Sequence, residues 1–329
     1  MFRTMRPFFI ALMCSWTALF VIALTYSNQH PHSHWIMRAA LPALLVEVVF
    51  YLASVFKETR AWFGQIGTRG LEAAVMWVSA LTPYLIFSFL TETFALNAFV
   101  LLGVLFGILA FWYVLLPRRP AFDGGFLVLA AAPVLLHVFP RIYRSPDGHT
   151  RTDALGHLAW IRLGIAALLI LRQWQPGAFG FWPRAAEWRV GLIYYLIILI
   201  PIVLLGLELR AVEFTPPHGA WWRIAGVSLA YFFGALWVIA LGEELFFRGV
   251  VEKALLAQWR APFMAVLVSA ILFGAVHLWF RRFPNWSHAL LAGILGIGCG
   301  LAYARTRSVR ASMVTHACVV ATWRIFFAG

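Results

Sequence analysis

Two adjacent carboxylates and an arginine stand inside a long apolar run, in Gly242-Glu243-Glu244-Leu245-Phe246-Phe247-Arg248-Gly249. On a helix, Glu244 and Arg248 lie four residues apart on one face with the acid nearer the N-terminus, the favourable order for an ion pair. Glu243 then points about 100° away and lacks that partner. A carboxylate removed from water without a fixed counter-charge is suited to take up a proton, the task of a general base. His277, in Phe273-Gly274-Ala275-Val276-His277, and His316, in Val314-Thr315-His316, are the next candidates along the chain. Glu243, His277 and His316 could also make a three-ligand zinc site with an open position for water. The His-Glu-x-x-His spacing usual for helical zinc peptidases is absent.

For these groups to meet, three helices must pack together. A turn near Arg260 and Pro262 folds the helix of Glu243 back against the helix of His277. Both residues lie about seventeen positions from that turn, so at about 1.5 Å per residue they sit at similar depth and are expected to face one another. His316 lies one to two turns into a final helix starting near Val309, and it joins them only if that helix packs alongside.

The rest of the chain is built for lipid. Of 329 residues, 62% are hydrophobic and 12% charged, against roughly half and a quarter in soluble domains. Runs such as Pro7 to Ser27, Ala95 to Leu116 and Val190 to Leu207 carry no charge and have the length of about twenty residues that a membrane-crossing helix needs. They lack the alternation of barrel strands, so the expected fold is all-α, a polytopic membrane bundle of about eleven helices. The candidate spans are 7 to 27, 39 to 56, 71 to 90, 95 to 116, 125 to 140, 154 to 171, 190 to 207, 225 to 257, 262 to 280, 287 to 303 and 309 to 327. Run 125 to 140 is short for a crossing, and run 225 to 257 is long enough that it must tilt or protrude. The break at 208 to 224, with Pro216 and Pro217, separates an expected N-terminal helical region, 1 to 207, from a C-terminal one, 225 to 327.

The net charge of +13 comes from basic residues in the short breaks between runs, which fits anionic lipid headgroups and gives no reason to invoke nucleic acid. Arginine makes up 24 of the 26 basic residues, as in a GC-rich bacterial genome, so a bacterial cytoplasmic membrane is expected. Cys14, Cys299 and Cys318 lie in apolar runs at no metal-ligand spacing and read as packing residues. Glu47, Glu72 and Arg162 read as polar contacts between helices or at helix ends. His30, His32 and His34 alternate beside Pro31 and read as solvated, with metal binding as the alternative.

The order Glu-Glu-x-x-x-Arg, Phe-x-x-x-His, then a glycine-rich helix leading through Thr306 to a last His resembles the CAAX protease and bacteriocin-processing family of intramembrane proteases. The resemblance covers roughly residues 225 to 325, and nothing in residues 1 to 190 takes part. It implies that Glu243 activates water without a metal, that His277 helps to hold that water, and that His316 stabilises the oxyanion. Glu244 and Arg248 would brace the helix, with Phe273 opening the second motif. The implied substrate is a membrane-associated or lipid-anchored protein. The family usually places Asn four residues after the last His, where this chain has Val320. The departure removes one oxyanion donor and keeps open a non-catalytic role, such as immunity, scaffolding or substrate presentation. A transporter is a third reading, without the inverted repeat expected of one.

Overall fold

The computed structural model describes residues 2–30, 33–65 and 67–328. It is an all-α membrane bundle, as expected. The helices are α1 (Phe2–Gln29), α2 (His34–Val55), α3 (Lys57–Phe63), α4 (Arg69–Leu90), α5 (Leu96–Leu115), α6 (Pro120–Leu135), α7 (Val138–Ile142), α8 (Ala154–Leu171), α9 (Ala185–Glu208), α10 (Trp221–Gln258), α11 (Pro262–Val276), α12 (Trp286–Thr306) and α13 (Val309–Phe326). The short strands β1 (Glu213–Phe214) and β2 (Phe327–Ala328) pair antiparallel. Each of the expected apolar runs falls on a helix. Among the described residues nine helices, rather than about eleven, are long and apolar enough to cross a membrane. Helix α6, at 16 residues, reaches about 24 Å against the ~30 Å of hydrocarbon. Helix α13 is the other exception, because Arg310, Ser312, Thr315, His316, Thr322 and Arg324 lower its hydropathy. Its first half is buried in protein, from Val314 to Ala317 without a break.

The chain forms two compact units, Met1–Trp174 and Gln175–Gly329. In the first, Arg162 on α8 donates to both carboxylate oxygens of Glu47 on α2, at 2.8 and 3.2 Å, and to Ser79 Oγ on α4 at 2.9 Å. All three are buried, so the polar groups that the sequence scatters singly become one closed contact, which is how a membrane interior tolerates charge. Glu72 sits in the first turn of α4, near the positive end of the helix dipole. Cys14 is exposed on the surface of α1 rather than packed. His32 lies outside the described residues.

The second unit begins at Gln175 and therefore takes in α9 and the break at 208–224, which the sequence reading set apart from the segment 225–327. Helix α9 packs on both α12 and α13. The segment before it and its first turn are strapped to the region of the α12–α13 turn: Tyr303 Oη donates to the Pro176 carbonyl at 3.0 Å, and Glu187 of α9 accepts from Ser308 Oγ and Arg310 Nη2, each at 2.7 Å.

Helix α10 is 38 residues long, about 57 Å at helical rise, so it outruns the hydrocarbon thickness. It is not uniformly α: Ala235–Ala240 and Leu245–Glu252 are wider π turns, leaving Leu241–Glu244 as a short α segment between them. Such turns are uncommon and concentrate at functional sites. Helices α11 and α12 approach closely through small residues. A Cβ on Gly274 would stand 2.7 Å from the Ala289 carbonyl oxygen, and one on Gly296 would stand 2.9 Å from Ala270 Cα.

Candidate functional site

The short α segment of α10 carries Glu243 and Glu244, the π turn after it carries Arg248 and Glu252, and α13 brings His316 to them. Glu244 has no exposed surface and holds two partners. Its Oε1 is 2.7 Å from His316 Nδ1, and its Oε2 is 3.2 Å from Arg248 Nε. A carboxylate only accepts, so the proton of this contact sits on Nδ1, and the imidazole turns Nε2 the other way. On that side lies Glu243, with Oε2 at 3.9 Å from Nε2. The gap is too long for a direct hydrogen bond. Glu243 Oε2 has no hydrogen-bond partner, and its side chain is 36% exposed against 0% for Glu244. The two neighbours thus differ: Glu244 is enclosed between His316 and Arg248, whereas Glu243 is part-exposed with a buried Oε2 that makes no hydrogen bond.

Arg248 is equally enclosed. Its Nη2 donates to the Gly296 carbonyl of α12 at 2.8 Å, its Nε is 4.0 Å from Glu252 Oε2, and its guanidinium carbon lies 4.7 Å from the centre of the Phe273 ring. Phe273, fully buried on α11, occupies the middle of the cluster. Its ring meets His316 edge-on at 5.8 Å and His277 at 4.6 Å. The aromatic face and the neighbouring carboxylates offset the charge of a guanidinium that cannot lose its proton, although its Nε and Nη1 make no hydrogen bond.

His277 stands at the C-terminal end of α11. Helix α11 ends at Val276, and His277 opens a tight turn, His277–Trp279. Its Nδ1 lies 2.7 Å from the Phe273 carbonyl oxygen. A carbonyl cannot donate, so Nδ1 carries the proton and Nε2 is left as an acceptor. Among the described residues no hydrogen bond or ion pair joins His277 to Glu243. Its ring neighbours are Phe273 and, at 5.6 Å, His288. Equal depth on two antiparallel helices was expected to bring Glu243 and His277 face to face. His277 packs on the Phe273 ring, which also meets His316.

Two members of the cluster were not singled out in the sequence. Glu252 is buried, with neither carboxylate oxygen hydrogen-bonded; its spacing of four from Arg248 was the available signal. Cys299, read as a packing residue, is buried on α12 beside Glu244 and His316. The reactive-type atoms of these three lie within 4.8 Å of one another. Glu243 and His277 do not belong to that group, so the metal-type triplet in the structure is not the one composed from the sequence. Val320 is half-buried, one turn beyond His316 on α13.

Residues 225–322 match the family described as type II CAAX prenyl endopeptidase Rce1-like. No curated protein and no solved structure matched the chain. The matched segment runs from α10 to α13, contains every residue of the cluster, and is the stretch whose motifs carry the family resemblance. Residues 225–322 thus match an Rce1-like CAAX endopeptidase domain, within the Gln175–Gly329 unit of a multi-pass membrane protein.

Proposed function

We propose that this protein is an intramembrane endopeptidase of a bacterial cytoplasmic membrane, cutting a membrane-associated or lipid-anchored protein with a water activated by Glu243. The observation that carries the reading is the His316 imidazole, fixed by Glu244 at 2.7 Å and facing Glu243 across 3.9 Å. A water in that gap gives its proton to Glu243 as its oxygen attacks the scissile carbonyl. The oxyanion is met by His316 Nε2–H in the imidazolium form, and Glu243 returns the proton to the departing amine. Glu244 and Arg248 hold His316 in one orientation, a positioning role. His277, with Nε2 as an acceptor at the rim, orients water or substrate.

The test is Glu243→Gln in a strain deleted for the gene, searched first for a protein that accumulates uncut. The expected outcome is persistence of the uncut form with normal amounts of the variant in the membrane. Processing at the normal rate would overturn the assignment. Cleavage by purified protein is expected to resist strong chelation. Stoichiometric zinc whose removal abolishes cleavage and whose return restores it would instead establish a metal mechanism.

Val320 favours a second reading, a non-catalytic member with an immunity, scaffolding or substrate-presenting role. Valine cannot donate to an oxyanion, and the loss of one such donor costs about 10² to 10³ in rate.

A further inference from the structure

Three helices bring three different metal-binding side chains to one buried point. Glu244 on α10, Cys299 on α12 and His316 on α13 have relative exposures of 0%, 0% and 3%, and their ligand atoms lie within 4.8 Å of one another. Polar contacts hold the arrangement in place. Glu244 Oε2 faces Arg248 at 3.2 Å, and Oε1 lies 2.7 Å from His316 Nδ1. The backbone at Cys299 is tied across to α13, where Ser312 Oγ donates to the Cys299 carbonyl at 2.8 Å and Cys299 Sγ lies 3.6 Å from the Ser312 carbonyl.

We propose that Glu244, Cys299 and His316 form a binding site for a thiophilic divalent cation of the zinc and cadmium class, which shares His316 with the water site at Glu243. Sulfur, imidazole nitrogen and carboxylate together select zinc-like ions over magnesium or calcium, which prefer all-oxygen sites. The proton balance is simple. The Cys299 thiol releases one proton to solvent and binds as thiolate. The His316 imidazolium releases its Nδ1 proton and keeps Nε2–H facing the Glu243 carboxylate, so that Nδ1 becomes the ligand. Three protein ligands leave a fourth position for water. Occupancy breaks the Nδ1 to Glu244 hydrogen bond and so inhibits cleavage. That consequence rests on the function proposed above, whereas the binding itself does not.

The experiment uses the full-length protein in detergent, titrated with Cd²⁺ alone and followed by the ultraviolet thiolate-to-cadmium charge-transfer band. One equivalent is expected to saturate the band. Cys14→Ser/Cys318→Ser should keep it, Cys299→Ser should abolish it, and His316→Gln should weaken binding on the order of tenfold or more. Circular dichroism of each variant confirms folding, and serine replaces the Cys299 thiol with little change of shape. A band that persists in Cys299→Ser, or disappears in the Cys14→Ser/Cys318→Ser protein, overturns the proposal. So does the absence of any band in the folded wild-type protein. None of these outcomes depends on whether the protein cleaves anything, so failure of the metal site is distinguishable from failure of the protease reading.

Discussion

Substituting Glu244 by glutamine keeps the side chain's shape and removes one negative charge from a position with no exposed surface. Arg248, equally buried, would then face only Glu252, at 4.0 Å from its Nε. Breaking a buried pair from one side costs about 3 to 5 kcal/mol, because it leaves a charge uncompensated. The amide oxygen can still accept from His316 Nδ1–H, and a retained hydrogen bond is worth about 1 kcal/mol, which places the expected loss near the lower end. For a unit of this size a loss of about 3 kcal/mol lowers the unfolding midpoint on the order of 10 °C. Glu243→Gln is the matched control. With its side chain 36% exposed and Oε2 unbonded, it should change stability by less than about 0.5 kcal/mol while abolishing cleavage. Unfolding of both variants in one detergent, followed by circular dichroism, reads the contrast directly. The double variant Glu244→Gln/Arg248→Met removes both charges and should be clearly more stable than the sum of the single losses allows. Equal midpoints for the two glutamine variants, or strict additivity in the double variant, would refute the partition of roles between the adjacent glutamates.

Val320→Asn places an amide one helical turn beyond His316 and should raise the cleavage rate, or partly rescue a His316 variant, in a single-turnover assay; a slower variant of intact fold would show that another donor already serves. In the first unit, Glu47→Leu or Arg162→Met alone should cost about 3 to 5 kcal/mol in an unfolding titration, and the two together much less. Asp147, outside the membrane spans, has its carboxyl pushed up by desolvation but held well below the ordinary range by hydrogen bonds from Ser145, Ser33 and Thr150. Because its folded-state pKa is depressed, its stabilisation is full at neutral pH. The unfolding midpoint of Asp147→Asn should therefore lie below wild type at pH 7, with the gap narrowing as pH falls below the ordinary carboxylate range.

What could be read from the sequence was governed by local rules. Apolar run length identified the membrane class and the helices, and the spacing of four between Glu244 and Arg248 predicted their pairing. The family order of motifs pointed to His316 as a neighbour of the glutamates. What could not be read depends on long-range packing or on departures from ideal helix geometry. Nothing near Cys299 announces that α12 and α13 will set its sulfur beside Glu244 and His316. Helix α9 was assigned to the N-terminal region by the proline break after it, yet its contacts are with α12 and α13. That the His277 ring meets His288 of α12 likewise depends on packing between helices. Span counting overshot where side chains that face protein, as on α13, replaced those that face lipid.

The two wide turns of α10 also bear on how related sequences should be aligned. A π turn closes its hydrogen bond from i to i+5 and so holds one residue more than an α turn. Each such turn thus acts as a single-residue insertion absorbed without breaking the helix. A helical wheel drawn with one period through the whole of α10 loses phase across 235–240 and again across 245–252. A relative that carries the paired glutamates on a plain α-helix would align with this chain only by opening one-residue gaps there. Deleting Phe246 alone would let the helix continue in α geometry while swinging Arg248 and Glu252 by about 100° relative to Glu243 and Glu244.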